Sequence, residues 1–146
     1  MDSQSRNIYK NARIAAGLTQ ERWAEHLGVS ADSVRKYESG ERMPGDDVVL
    51  TMAEVSGQLI LPYWHLTRKS RVAAAILPEL DQELGLPEAV LSLLIQVDDF
   101  REQGLQKLLR IAADGKIDNS ETQDFDTAME QLLRLVSAAM ALGFAK

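Results

Sequence analysis

The sequence has no cysteine, which excludes a disulfide framework and any thiolate metal site. No apolar run approaches the length of a membrane span, so no membrane partner is expected. The opening residues, Met1-Asp2-Ser3-Gln4-Ser5, lack a basic segment followed by an apolar one. No secretory signal is therefore expected, and the cytoplasm is the expected location. β-branched runs and Asn-Gly turns are missing, so strands are not expected. No nucleophile elbow, phosphate-cradling glycine loop or paired acid and base occurs, so no enzyme and no cofactor is expected. His26 and His65 lie on separate elements with no carboxylate at ligand spacing, and no metal is expected there.

What is present is ordinary globular composition with an uneven charge. Hydrophobic residues make up 45% of the chain and charged residues 26%, enough to build a packed core. The net charge is −6, yet it is not spread evenly. Residues 1–71 carry 10 basic and 9 acidic side chains, whereas residues 72–146 carry 6 and 13. A chain this acidic should bind random DNA weakly, because non-specific affinity grows with the number of phosphates neutralised.

Glycines punctuate the first half, and the segments between them have helical spacing of apolar residues. Helices are expected over Ser5–Ala16, Thr19–Leu27, Ser30–Ser39, Asp46–Val55 and Leu61–Thr67. Thr19 and Ser30 are N-caps and Gly40 is a C-terminal stop. After Arg71 the segments lengthen. Val72–Leu84 reads as helical but ended or kinked by Pro78, and Pro87–Ala113 and Asn119–Leu142 read as long amphipathic helices. Their short connection, Asp114–Asp118, predicts an antiparallel pair. Asp114–Glu121 is similar to the second half of an EF-hand loop. Arg110 and Ala112 stand where the first oxygen ligands belong, so a tight capped turn is expected instead.

The stretch Leu18–Gly40 carries the functional signal. Two short helices are joined by Gly28-Val29, and the small Ala24 permits their close approach. Trp23, Leu27, Val34 and Tyr37 face inward. Ala31, Asp32, Ser33, Arg35 and Lys36 face outward, on the side able to enter a major groove. The pieces Gly17-Leu18-Thr19-Gln20, Ala24, Leu27-Gly28-Val29-Ser30, Val34 and Tyr37-Glu38-Ser39-Gly40, followed by Arg42 and Pro44, resemble the lambda-repressor-like (XRE) family of helix-turn-helix regulators over roughly residues 6–66. Trp23 is bulkier than the aliphatic residue usual there.

The resemblance implies a DNA-contacting set: Lys10, Gln20, Ser30, Ala31, Asp32, Ser33, Arg35, Lys36 and Arg42. Lys10 and Arg42 would lie beside phosphates, and Gln20 would touch the DNA backbone or support the reading helix. It also implies a structural ion pair, Arg13 with Glu38, between the first and third helices. Asp32 on a reading face accepts only from an amino group such as that of cytosine. The expected protein is all-α: a five-helix lambda-repressor-like DNA-binding domain over residues 1–68, then a C-terminal helical hairpin region over 69–146. Its expected partners are double-stranded DNA and a second copy of itself, because Asn119–Leu142 is apolar over more than one stripe. The expected activity is transcription regulation, as a repressor on a palindromic operator. The alternative is an antitoxin-like or adaptor module whose protein partner covers the acidic C-terminal helices.

Overall fold

In a computed structural model, which describes residues 7–113 and 115–146, the chain is all-helical, with no strand among the described residues. Its contacts divide it into two units, the first ending at Leu77 and the second spanning Pro78–Lys146.

The first unit contains α1 (Ile8–Ala15), α2 (Gln20–Leu27), α3 (Ala31–Ser39), α4 (Asp46–Ser56), α5 (Leu61–Lys69) and α6 (Arg71–Ile76). Local chemistry sets most of these limits. The Asn7, Thr19, Ser30 and Ser70 side chains accept from backbone N–H groups in the first turns of α1, α2, α3 and α6. Each cap satisfies a donor that a helix start otherwise leaves bare. The expected start of α1 at Ser5 lies outside the described residues.

Gly28 ends α2 with φ +64°. This left-handed geometry is open to glycine but strained for residues with a Cβ. The turn brings α2 and α3 together over a shared core that includes Trp23, Leu27, Val34, Tyr37, Val49, Met52 and Leu61. Trp23 is fully buried, so the bulky residue is accommodated at the centre.

In the connection between units, Pro78 ends the helix rather than kinking it. The helix expected over Val72–Leu84 stops at Ile76, and residues 78–85 carry no helix. Pro78 is the cause: the residue before proline is pushed to extended geometry, and Leu77 sits at φ −95°, ψ 142°. The division of contacts falls at 77/78. Helix α6 stays with the first unit because Ser70 both ends α5 and caps α6, and Ala73 is buried.

The second unit is a helical hairpin. α7 (Leu86–Asp99) runs through a π-helical turn (Phe100–Gly104) into α8 (Leu105–Ile111), and α9 (Thr122–Phe144) returns. The Leu86 N–H donates to the Lys146 carbonyl at 2.8 Å, so the start of α7 lies beside the chain's end and the arms are antiparallel. Gly104 marks a close approach. A Cβ there would come within 2.6 Å of the Phe100 ring and 2.7 Å of Gln131 Oε1. At the hairpin tip, Asp118 Oδ1 accepts from the Ser120 and Glu121 N–H groups. Those bonds, with the Ser120 hydroxyl foremost, hold its carboxyl below the usual carboxylate range. Asp114 of the expected linker lies outside the described residues.

The strain argument at Gly28 is testable. Gly28→Ala should lower the stability of the first unit by about 1–2 kcal/mol. Chemical denaturation followed by fluorescence reads this unit alone, since both tryptophans, Trp23 and Trp64, belong to it. An unchanged midpoint would contradict the argument.

Candidate nucleic-acid interface

Helix α3 presents one face to the core and one to solvent. Val34 and Tyr37 are buried, while Asp32 and Arg35 are exposed and Ala31, Ser33 and Lys36 are partly so. The split follows from helical spacing, since residues three and four apart share a face. Ser30 caps the helix, with its hydroxyl 3.1 Å from the Ser33 N–H and 3.0 Å from Ser33 Oγ. The N-terminal turn of α3 is thus fixed, and two hydroxyls sit at its exposed tip.

The cations of this face are held by an acid of the same face. Lys36 Nζ lies 2.9 Å from Asp32 Oδ2, and Arg35 Nη1 lies 3.9 Å from Asp32 Oδ1. The hydrogen bond to Lys36 holds the Asp32 carboxyl below its ordinary range and raises the Lys36 ammonium above its own. All three side chains are well exposed, so water screens the pairs and an approaching phosphate can exchange for the carboxylate.

Arg42 folds back over α3. Its guanidinium lies 5.0 Å from the centre of the Tyr37 ring, and Nη2 donates to Tyr37 Oη at 2.7 Å. The Arg42 N–H donates to the Lys36 carbonyl at 3.1 Å. The loop after α3 is therefore anchored to the helix it follows. Lys10 is half-buried on α1.

Arg13 and Glu38 meet beneath this face. Arg13 Nε and Nη2 donate to Glu38 Oε1 and Oε2 at 2.5 and 3.0 Å. The bond to Glu38 raises the Arg13 guanidinium further above its ordinary range. The side chains keep only 14% and 5% of their exposure. Arg13 Nη1 also donates to the Leu18 carbonyl at 2.8 Å, and Gln20 Nε2 donates to Glu38 Oε2 at 2.9 Å. Of the two roles open to Gln20, its side chain is engaged in supporting α3.

Sequence reasoning missed the roles of two further residues. Asn7 Nδ2 donates to the Tyr37 carbonyl at 2.9 Å and to the Glu38 carbonyl, tying the start of α1 to the end of α3. An asparagine just before an apolar helical pattern is an N-cap signal, but the expected start at Ser5 hid it. His65 is buried, with Nδ1 2.8 Å from Tyr9 Oη and Nε2 3.1 Å from Asp46 Oδ1. It joins α1, α4 and α5 across sequence separations that no local pattern reveals.

Residues 10–58 match a family model described as a helix-turn-helix domain. No curated protein and no solved structure matches the chain. The first unit accordingly carries a helix-turn-helix domain, in which α2 and α3 are the paired helices. Such domains are typical of DNA-binding regulators. Among the described residues no helix is long and apolar enough to cross a membrane, and none of their acidic or histidine side chains form a group able to hold a metal ion.

Breaking the pair beneath α3 should be costly. Arg13→Ala leaves Glu38 shielded from water without its cation, and removing one partner of a buried pair costs about 3–5 kcal/mol. Urea denaturation should record that loss, and a negligible change would show the pair to be ornamental.

Proposed function

We propose that the protein is a sequence-specific DNA-binding transcription regulator of the lambda-repressor-like (XRE) type, acting in the cytoplasm. The observation that carries this reading is the outward face of α3. Ser30, Ser33, Arg35 and Lys36 stand clear of the core on a capped, rigidly seated helix. A helix so presented fits the major groove. Lys10, Ala31, Asp32 and Arg42 complete the contact set that we assign, and Gln20 supports α3 through Glu38. Arg35 and Lys36 reach base edges or phosphates. Ser30 and Ser33 donate or accept at the helix tip, and Asp32 accepts from an exposed amino group such as that of cytosine.

We assign the working form as a homodimer on an inverted repeat, with half-sites about one helical turn apart. The C-terminal hairpin supplies the contact between copies. A dimer seated on a promoter excludes polymerase by occupancy, so repression is the regulatory sign we assign.

Two measurements test the reading. Selection from a random DNA library should enrich one inverted repeat. Replacing Arg35 and Lys36 together by alanine should abolish binding to it while the helical signal and melting point hold. A parallel loss of folding would make these residues structural instead. The second measurement uses Asp32→Asn, which removes the acid that occupies both cations. Affinity for random DNA should rise and its salt dependence should steepen, as expected when more cations reach phosphate. Unchanged random binding would show that Asp32 does not restrain them.

A further inference from the structure

Arg42 follows α3 in the chain, yet its guanidinium lies along that helix. Gly40 turns the backbone at φ +79°, a geometry that glycine adopts without strain. The Arg42 N–H then donates to the Lys36 carbonyl at 3.1 Å, and Pro44 is fully buried. The loop is pinned on both sides, so the side chain starts from a fixed point. It runs back toward the start of α3. Nη2 donates to Tyr37 Oη at 2.7 Å and lies 3.5 Å from Ser33 Oγ, with the guanidinium 5.0 Å from the centre of the Tyr37 ring. Ser33 Oγ in turn lies 3.0 Å from Oγ of Ser30, the cap of the helix.

That is ground where base edges are met. In helix-turn-helix proteins the N-terminal residues of the second helix contact bases, and Ser33 stands in the first turn of α3. The Asp32 carboxyl, held low chiefly by its bond to Lys36, is lowered further by Arg35 and Arg42, so Arg42 shares the face of the other cations. Its restraint separates two targets. A phosphate needs charge within reach, whereas a base edge needs a planar fork held in one attitude. Arg42 has that restraint, because Tyr37 is only 3% exposed and supplies both a ring and a hydroxyl. Among the described residues, Nε and Nη1 of Arg42 meet no acceptor and the guanidinium has no carboxylate partner. Unlike Lys36 and Arg35, Arg42 need not leave an acid to engage DNA.

We propose that Arg42 reads a base edge in the major groove and that Tyr37 is the positioning residue that aims it. The edge is that of guanine, whose O6 and N7 accept together from one guanidinium. The proposal rests on the DNA-binding reading of α3 and extends the reading surface to the loop beyond it. It gives Arg42 a base in place of the phosphate that the family resemblance implies.

The test is selection from a random duplex library by the full chain as wild type, Arg42→Ala and Tyr37→Phe, with salt titrations on the selected sequence. The wild type should enrich a motif containing a guanine that Arg42→Ala no longer selects. Preference at that base pair should fall about tenfold or more, while preferences at the other pairs hold. Tyr37→Phe keeps the buried ring and removes only the hydroxyl. It should weaken preference at the same pair with the melting point held, whereas a purely structural tyrosine would move the melting point and leave the motif alone. A phosphate contact has a different signature. Arg42→Ala would then weaken all sequences alike, and the slope of log affinity against log salt would fall by about 0.9; that result would overturn the proposal. An unchanged preference in Tyr37→Phe would overturn its positioning role. A wild type that enriches no motif would overturn the DNA-binding reading itself, and this proposal with it.

Discussion

The carboxylate of Glu38 is the point on which the first unit depends. It receives Arg13 from α1 and Gln20 from α2, while its own backbone carbonyl receives Asn7. Three helices are thus tied at one residue of the third. Each of these bonds involves a group largely shut off from water, and a charged group in that position demands partners. The network does more than hold the fold. It fixes the roll of α3 about its axis, and that roll decides which side chains face outward. A helix free to turn would present no fixed outward pattern of donors and acceptors.

Where the chain's structure is local, it is legible in the sequence. The limits of α2 and α3 follow from a threonine, a serine and two glycines at the right places, because a cap is a contact between neighbours in the chain. The inward set of Trp23, Leu27, Val34 and Tyr37 follows from helical spacing alone. The residues that failed to announce themselves act at a distance. Asn7 spans thirty residues to reach Tyr37, and His65 spans fifty-six to reach Tyr9. The π-helical turn at Phe100–Gly104 depends on what α9 brings against it, and nothing in the neighbouring sequence specifies that. Pro78 was readable as a helix breaker, but the sequence left open whether it would kink the helix or end it. The outward positions of α3 were equally readable. Their chemistry toward DNA is a matter of which partner arrives, and a single chain does not contain it.

The electrostatics of α3 belong with the charge of the whole chain. The second half is strongly acidic, and Asp32 occupies the cations that would otherwise attract any phosphate backbone. Both features work against indiscriminate binding. A polyanion must displace Asp32 before Lys36 and Arg35 can engage it.

The two units solve the problem of burial differently. The first encloses its large side chains, with Trp23, Met52, Ile60 and Leu61 almost wholly removed from water. The second is a pair of arms, and a hairpin of two helices has no interior of its own. Its closest points are alanines and a glycine, Ala89, Ala128 and Gly104, which bring the arms near but bury little. The larger side chains of α7 are left outside.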